Sequence, residues 1–341
     1  MDSQVFILNE KRNVTLTAYL QDDSQEFWRA KKRPAVVIFP GGAYAYCSDR
    51  EADPVAQEYL RAGYHAFVLR YSVGWENAVW PNPLEDYDQA MELIAAHAKE
   101  WHLIPEKIAV IGFSAGGHLA ACAATMAKHR PAAAILAYPV ILEGLTAICA
   151  KGAPGADKAV DSQTCPCFIA ATGTDTTVSA MNSLRFVEAL YENGISAELH
   201  LYAFGPHGFS TARTSIADPA ELCSRTLHWV EDSISWLEDV FGAFTSGEMS
   251  SPRCPGKVRK DKDPYLSVDC LLATIAENQI AVERLNQLIL VEETTQKWIA
   301  EQKENLLTSE MTLRSALQFL NVPGEVIRKA DEILSEIPNR K

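Results

Sequence analysis

Short apolar runs alternate with longer segments of helical periodicity between residues 5 and 241. Continuous runs such as "PAVVIFP" at 34–40 predict strands that are buried on both faces. The predicted strands are 5–8, 14–20, 34–40, 65–71, 107–113, 132–138, 167–173 and 196–202. The predicted helices are 53–63, 86–101, 114–128, 181–193 and 219–241. This alternation favours a mostly parallel sheet covered by helices on both faces.

The composition changes near residue 245. The segment 245–264 is rich in serine, proline, glycine and charge, which is typical of a linker. We therefore predict an α/β domain over 1–244, a linker over 245–264 and a helical region over 265–341.

Heptad spacing in the helical region predicts one long helix, followed by shorter helices at 311–320 and from 323 to about 337. The apolar members of the heptad seam are Leu271, Ile275, Val282, Leu285, Ile289 and Ile299. The polar members that weaken it are Asn278, Glu292 and Gln296. Such helices bury little by themselves, so we expect them to pack on the first domain or on a second copy of the chain.

Charge and hydropathy exclude several classes of function. The chain has 341 residues, is 48% hydrophobic and carries a net charge of −13. Nucleic acids and anionic membranes require a basic face, so neither is an expected partner. No N-terminal run is typical of a signal peptide, and no stretch reaches the roughly 18 apolar residues that a membrane helix needs. We expect a soluble, cytoplasmic protein.

The segment "VIGFSAGGHLA" at 110–120 joins a predicted strand to a helix and places Ser114 between glycines. A GxSxG motif requires this setting, because side chains larger than glycine at 112 and 116 clash in so sharp a turn. The turn raises the serine hydroxyl above the sheet. It also leaves the Ala115 N–H at the positive end of a helix, where an oxyanion is stabilised. We predict that Ser114 is a nucleophile; close packing of strand and helix is the alternative explanation.

A serine hydroxyl becomes a good nucleophile when a base takes its proton. Of the eight histidines, His207 in "YAFGPHGFS" directly follows the last predicted strand, whereas the others lie in strands or in and beside helices. The histidine needs an acid that fixes its tautomer. Asp175 follows the strand 167–173 and completes the order Ser, Asp, His that this motif class uses. Asp161, the alternative acid, precedes that strand.

A second oxyanion donor is expected in "FPGGAYAYCS" at 39–48, which also follows a strand. Gly42 and Ala43 are the predicted donors beside Ala115, and an ordinary glycine turn is the alternative. Aromatic residues in loops near this point could stack on the ring of a bound substrate or pack a lid, and the two interpretations are equally supported. These residues are Tyr44 and Trp80, the candidate substrate-binding pair, and Tyr46 and Trp75.

Residues from about 1 to 242 resemble the α/β-hydrolase superfamily, specifically the small esterases of the acetyl-xylan esterase or BD-FAE-like type. The resemblance rests on "FPGGAYAYCSDREADPVAQEYLRAGYHAFVLRYSV" (39–73), "WPNPLEDYDQAM" (80–91), "IPEKIAVIGFSAGGHLAA" (104–121) and "GPHGF" (205–209). It implies an α/β-hydrolase fold with a mostly parallel sheet of about eight strands. It also implies hydrolysis of short acyl esters, typically acetyl groups on sugars. The group often has two adjacent acids where this chain has Thr174 and Asp175, so only Asp175 can serve.

The sequence therefore predicts a serine esterase that hydrolyses short-chain acyl esters, acetyl esters above all, on xylo-oligosaccharides or other small sugars. The expected partner is this small acylated substrate, and the C-terminal helices are candidates for homo-oligomer formation. No cofactor or metal is expected, since the eight cysteines lack the spacing of a zinc or redox site. Two alternatives stay open: a peptidase or formamidase with the same triad, and a non-catalytic scaffold acting through its helical tail.

Overall fold

The computed structural model describes residues 2–289 and 293–339, and these residues divide into two units. The first unit holds the chain up to Tyr191 together with Ser196–Gly256. The second holds Glu192–Ile195 together with the chain from Lys257 onward. The division after Gly256 falls inside the segment 245–264 that the composition assigns to a linker.

An eight-stranded sheet forms the centre of the first unit. Its strands are β1 (Asp2–Asn9), β2 (Val14–Leu20), β3 (Arg33–Phe39), β4 (His65–Arg70), β5 (Leu103–Phe113), β6 (Ala133–Ala137), β7 (Cys167–Thr172) and β8 (Ala197–Tyr202). They lie in the order β1-β2-β4-β3-β5-β6-β7-β8. The pairs β1–β2 and β2–β4 are antiparallel, and all other neighbours are parallel. The predicted α/β class with a mostly parallel sheet is confirmed.

Burial along the strands follows their place in the sheet. Strands β3, β6 and β7 are buried at every residue, as expected for apolar runs covered on both faces. Strand β2 alternates between buried and half-buried residues, whereas β8 at the sheet edge is mostly exposed or half-buried. Because β5 to β8 are parallel, their carboxyl ends meet at one edge of the sheet, and the loops that follow them lie side by side.

Six helices are described in the first unit: α1 (Asp53–Arg61), α2 (Asn82–His97), α3 (Ala115–Met126), α4 (Glu143–Cys149), α5 (Met181–Glu192) and α6 (Trp229–Phe241). Five correspond to predicted helices, two of these with clearly different bounds, and α4 lies where no helix is predicted. Helix α2 begins at Asn82 rather than at residue 86, because Pro83 stands in its first turn, where proline is well tolerated. The predicted helix 219–241 is α-helical only from Trp229, and two short 3-10 turns precede it.

The second unit is built from short helices rather than the predicted long one. They are α7 (Leu272–Ala276), α8 (Gln279–Leu288), α9 (Glu293–Glu301), α10 (Lys303–Leu307), α11 (Leu313–Phe319) and α12 (Gly324–Leu334). The Asn278 side chain accepts from the Ala281 N–H over 3.1 Å and caps α8, so the seam residue expected to weaken the helix starts a new one. Seam residues Ile275 and Leu285 are buried in this unit's core. Glu292 lies outside the described residues.

The short segment 192–195, which runs from the last residue of α5 toward β8, belongs to the second unit. The Val258 N–H donates to the Gly194 carbonyl over 2.8 Å, and Ile195 forms a β-bridge with Lys257. This pairing joins segments more than 60 residues apart, and no local periodicity indicates it.

Candidate active site

Ser114 lies at the sharp turn between β5 and α3. Its backbone has a φ of 52° and a ψ of −115°, which residues other than glycine rarely adopt. A Cβ at Gly116 would lie 2.0 Å from the Phe39 carbonyl oxygen, and one at Gly112 would lie 2.1 Å from that of Gly116. Only glycine fits at either position. The Ser114 N–H donates to the Ala137 carbonyl over 3.0 Å and helps to hold the strained residue.

The structure brings Ser114, Asp175 and His207 together. His207 Nε2 lies 2.9 Å from Ser114 Oγ, and His207 Nδ1 lies 2.7 Å from Asp175 Oδ2. A carboxylate only accepts hydrogen bonds, so Nδ1 carries the proton and Nε2 accepts from the serine hydroxyl. The side chains of Asp175 and His207 are 1% and 19% exposed. A histidine held in this tautomer can take a proton from the serine.

The environment of Asp175 keeps its side chain ionised. Burial by itself raises the pKa of this carboxyl, but hydrogen bonds from His207 and from the N–H groups of Val178 and Thr177 outweigh it, so the pKa is lowered. Both N–H groups donate to Oδ1 over 2.8 Å. One carboxylate oxygen is therefore held by the backbone, and the other is left for His207.

Thr174 ties the loop that carries Asp175 to the histidine loop, residues 205–210. Its Oγ1 accepts from the Gly205 N–H over 3.0 Å and donates to the Gly205 carbonyl over 3.1 Å. Thr172 donates to the same carbonyl over 2.9 Å. Sequence reasoning treated Thr174 only as the residue beside the acid, because nothing in the sequence indicates which loop a threonine will meet.

Asp161, the alternative acid, is paired elsewhere. Its Oδ1 and Oδ2 lie 2.6 and 3.0 Å from the guanidinium of Arg130. The hydrogen bond from Arg130 is the main reason that the pKa of this carboxyl is lowered. Asp161 therefore serves a surface ion pair, and the structure places Asp175 against the histidine.

The turn at residues 41–44, named the oxyanion turn after its predicted role, lies against Ser114. A Cβ at Gly41 would lie 3.1 Å from Ser114 Cβ. Gly42, Ala43 and Tyr44 have φ values of 125°, 53° and 58°, so the backbone turns over three consecutive residues. Within the described residues, no hydrogen bond uses the N–H of Gly42 or Ala43. Ala115 begins α3, so its N–H has no partner within the helix. The three predicted oxyanion donors thus lie in the two segments next to Ser114 and Gly41, and no described hydrogen bond uses their N–H groups.

Tyr44, one of the two candidate substrate-binding residues, is packed rather than exposed, which decides between the two interpretations that the sequence left open. Its side chain is 1% exposed, and its hydroxyl lies 2.7 Å from His118 Nδ1. His118 Nε2 lies 2.8 Å from the Pro154 carbonyl, so Nε2 carries the proton and Nδ1 accepts from Tyr44. Burial lowers the pKa of His118 to about 4, so this imidazole is neutral at pH 7. The Tyr44 ring holds the oxyanion turn onto α3 and is closed to a sugar.

The other loop aromatics remain accessible to different extents. Trp80 is half-buried, and its ring centroid lies 5.4 Å from that of His118. Tyr46 and Trp75 are 61% and 74% exposed. A Cβ at Gly42 would lie 3.2 Å from Tyr46 Cδ2, so the Tyr46 ring borders the oxyanion turn. Tyr46 is therefore better placed than Tyr44 to meet a bound substrate.

Sequence reasoning missed two buried polar residues close to the site, Glu51 and Tyr138. Glu51 is 3% exposed and hydrogen bonds to both Gly41 and Tyr138. Tyr138 is 1% exposed, and its ring centroid lies 4.9 Å from that of His207. The residues described include no cluster of three or more acidic, cysteine or histidine side chains that could hold a metal ion. Likewise, no helix in residues 2–289 and 293–339 has the length and apolar character needed to cross a membrane.

Comparison with known proteins finds a matching family model and several similar proteins. The BD-FAE family model matches residues 26–140. MGS-M1, an α/β-hydrolase enzyme from a Medee basin deep-sea metagenome library with a solved structure, is 42% identical in sequence to this chain. The match covers 70% of this chain and 98% of that one, with a TM-score of 0.65.

Two curated bacterial proteins are also similar. Endo-1,4-β-xylanase B of Butyrivibrio fibrisolvens is 31% identical over 229 residues, which are 58% of this chain and 35% of the xylanase. Acetylxylan esterase of Xylanibacter ruminicola is 29% identical over 197 residues, which are 51% of this chain and 41% of that esterase. The chain thus spans less than half the length of either curated relative.

The resemblance seen in the sequence is therefore confirmed. Identity of 42% extends over nearly the whole of MGS-M1, and the sheet and the serine turn are those expected of the fold. Residues 26–140 match the BD-FAE family model, and the chain belongs to the α/β-hydrolase superfamily.

Proposed function

We propose that this protein is a serine esterase that hydrolyses short-chain acyl esters, acetyl esters above all, on xylo-oligosaccharides or other small sugars. The observation that carries the proposal is the pair of short contacts from His207 to Ser114 and Asp175, at 2.9 and 2.7 Å. The names of the two curated relatives, a xylanase and an acetylxylan esterase, support xylan-derived esters as the substrate class.

The proposed reaction proceeds through an acyl-enzyme. His207 Nε2 takes the proton of Ser114 as Oγ attacks the ester carbonyl carbon, and the carbonyl oxygen becomes an oxyanion. The N–H groups of Gly42, Ala43 and Ala115 stabilise this oxyanion, and one such donor contributes about 3 to 4 kcal/mol. The imidazolium then gives its proton to the alcohol oxygen as the tetrahedral intermediate collapses.

Deacylation repeats these steps with water. His207 removes a proton from water as the water oxygen attacks the acyl carbon, and the same donors hold the second oxyanion. Collapse of that intermediate breaks the bond to Ser114 Oγ, which takes the proton back. Asp175 stays ionised throughout and stabilises the imidazolium in both halves of the reaction.

The test is hydrolysis of p-nitrophenyl esters from acetate to octanoate. Ser114→Ala is compared with Ser224→Ala, a control at an exposed serine of the same unit. We expect the highest kcat/KM for acetate, loss of activity in Ser114→Ala and unchanged activity in Ser224→Ala. Acetylated xylo-oligosaccharides and an anilide with the same acyl group are then assayed as substrates. Faster cleavage of the anilide would favour a peptidase or formamidase, and inertness toward every substrate would favour a scaffold.

We also propose a cytoplasmic protein that assembles through its second unit. The eight cysteines are all free thiols, which is usual in a reducing compartment. The helices of the second unit border an apolar cavity of about 400 Å³, and Ile280 and Phe319 are 57% and 68% exposed. Exposed apolar surface of this kind supports contact with a second copy of the chain.

A further inference from the structure

We propose that Glu51 is a positioning residue that holds the oxyanion turn and the histidine loop in place around Ser114. Glu51 is the last residue of a short 3-10 turn, Asp49–Glu51, and is only 3% exposed. The role assigned to the two loops rests on the proposed function. The link between the two loops does not depend on that function, because it consists of contacts within the folded chain.

Glu51 uses both carboxylate oxygens. Oε2 accepts from the Gly41 N–H over 2.8 Å, and Oε1 accepts from the Tyr138 hydroxyl over 2.6 Å. Gly41 directly precedes the donors Gly42 and Ala43. One side of the carboxylate therefore fixes the backbone that places the oxyanion donors.

The other side reaches the histidine loop through Tyr138. The Tyr138 hydroxyl accepts from the Ser210 N–H over 3.0 Å. Its ring meets the rings of His207 and Phe209 edge to face, with centroids 4.9 and 4.6 Å apart. Tyr138 thus contacts the histidine loop at three residues, and Glu51 holds the hydroxyl that makes the polar contact.

A second bond joins the same turn to the same loop. The Ser210 hydroxyl donates to the Arg50 carbonyl over 2.5 Å, and the Trp229 indole N–H donates to the Ser210 carbonyl over 2.8 Å. Ser210 has a φ of 49°, a strained value for serine. The polar groups of Ser210 are therefore held by three different partners, and two of these contacts lead back to the turn that carries Glu51.

The direction of each hydrogen bond is fixed. The Ser210 N–H can only donate, so the single hydrogen of the Tyr138 hydroxyl points to Glu51. Burial, followed by the charge of Glu51, raises the pKa of Tyr138 well above its usual value, so the phenol keeps this hydrogen. Since the Gly41 N–H also only donates, Glu51 accepts a hydrogen bond at each of its two oxygens. A glutamine at residue 51 would turn its NH₂ toward one of the two donors and lose that bond.

The consequence for the proposed reaction lies in the transition state. Oxyanion donors act on charge that develops during attack, and a displacement of about 1 Å in a catalytic group can cost about 100-fold in rate. A loosened oxyanion turn and histidine loop should therefore lower kcat and leave KM nearly unchanged, because the ground-state ester makes few of these contacts.

The experiment compares full-length Glu51→Gln with Asp49→Asn. Asp49 lies on the same 3-10 turn, but its side chain is 90% exposed and pairs with Arg70 on the surface. Active sites are titrated with a p-nitrophenyl phosphonate, so kcat refers to intact sites. We expect Glu51→Gln to lower kcat by about 10- to 100-fold, with KM within about two-fold. Asp49→Asn should match the wild type, and a merely structural role would reduce the number of titratable sites without changing kcat.

Amide hydrogen exchange tests the link without reference to activity. Glu51→Gln should speed exchange at the Gly41 and Ser210 N–H groups by about ten-fold or more and leave β7 unchanged. Tyr138→Phe is the second variant, because it breaks only the link to the histidine loop. It should speed exchange at Ser210 far more than at Gly41.

The inference is overturned if Glu51→Gln keeps the kcat of Asp49→Asn, or if exchange at Gly41 and Ser210 is the same in both variants. If the wild-type protein hydrolyses no ester or amide, the proposed function fails, and the exchange measurement still decides whether Glu51 joins the two loops.

Discussion

Replacing Asp175 by Asn should disable the base through the tautomer of His207 while leaving the fold intact. Asp175 Oδ1 accepts two backbone N–H groups over 2.8 Å, and Oδ2 accepts from His207 Nδ1 over 2.7 Å. Asparagine has one oxygen, which the two N–H groups of Thr177 and Val178 retain. Its NH₂ group then faces His207 Nδ1, which must become the acceptor. The ring hydrogen moves to Nε2 and points at Ser114 Oγ.

The size of the effect follows from that geometry. An imidazole with its hydrogen on Nε2 cannot take the serine proton, so kcat/KM should fall by about 10³- to 10⁴-fold, or roughly 4 to 5.5 kcal/mol. The oxyanion donors remain in place, so some activity above background should persist. Two of the three hydrogen bonds of the side chain are kept, and we expect the melting temperature to fall by only a few degrees.

The assay is hydrolysis of p-nitrophenyl acetate, with thermal unfolding of the same samples. Asp161→Asn is the matched control, because that carboxylate pairs with Arg130 at 2.6 Å and has no contact with the histidine. Its activity should stay within about two-fold of the wild type. The reasoning would be refuted if Asp175→Asn kept more than about a tenth of the activity, or if Asp161→Asn lost as much.

Three further predictions concern other parts of the chain. Gly116→Ala should lower the free energy of unfolding in urea by several kcal/mol, because the new Cβ would lie 2.0 Å from a backbone carbonyl oxygen. The control Gly144→Ala should be neutral or stabilising, because its Cβ meets nothing within 4 Å. Equal effects of the two substitutions would contradict this prediction. Burial lowers the pKa of His65 and of His118 to about 4, below the unfolded value of 6.5. Between these two pKa values the unfolded state therefore binds more protons than the folded state. The free energy of unfolding should be highest above about pH 6.5 and should fall toward pH 4, by on the order of 3 kcal/mol per histidine. A urea midpoint that stays constant over this pH range would contradict the prediction. Light scattering of the wild-type chain should give a mass that is a multiple of the monomer mass, and Ile280→Glu should lower this mass. A monomeric wild type would refute the proposed assembly.

Much of the first unit could be predicted because the evidence is local. Buried strands show continuous apolar runs, and the three triad positions follow strands β5, β7 and β8, whose carboxyl ends must share one edge in a parallel sheet. Residue type then narrows the choice of base and acid. His207 and Asp175 are the residues that the structure places beside Ser114.

Tyr44 shows where local evidence ends. The sequence places an aromatic residue in a loop near the serine, which fits an exposed ring as well as a buried one. The structure buries it because His118, 74 positions later, offers Nδ1 to its hydroxyl over 2.7 Å. The breaks in the predicted long helix have a more local cause: Asn278 can weaken a helix or cap the next one, and heptad spacing does not distinguish these roles.

The backbone conformation around the site explains why the triad could be predicted from the sequence and Glu51 could not. Five residues other than glycine adopt positive φ there: Ala43, Tyr44, Ser114, Tyr138 and Ser210. Such conformations cost of order 1 kcal/mol or more each and persist only where the surroundings hold them. A sequence indicates left-handed turns mainly through glycine, so apart from Ser114 within its GxSxG motif these positions carry no such signal. What holds several of them is the network of hydrogen bonds through Glu51, Tyr138 and His118, whose members meet across long separations in sequence. The groups that take part in the proposed chemistry can thus be predicted from position and residue type, whereas the groups that hold them become visible only when the folded chain brings their donors and acceptors together.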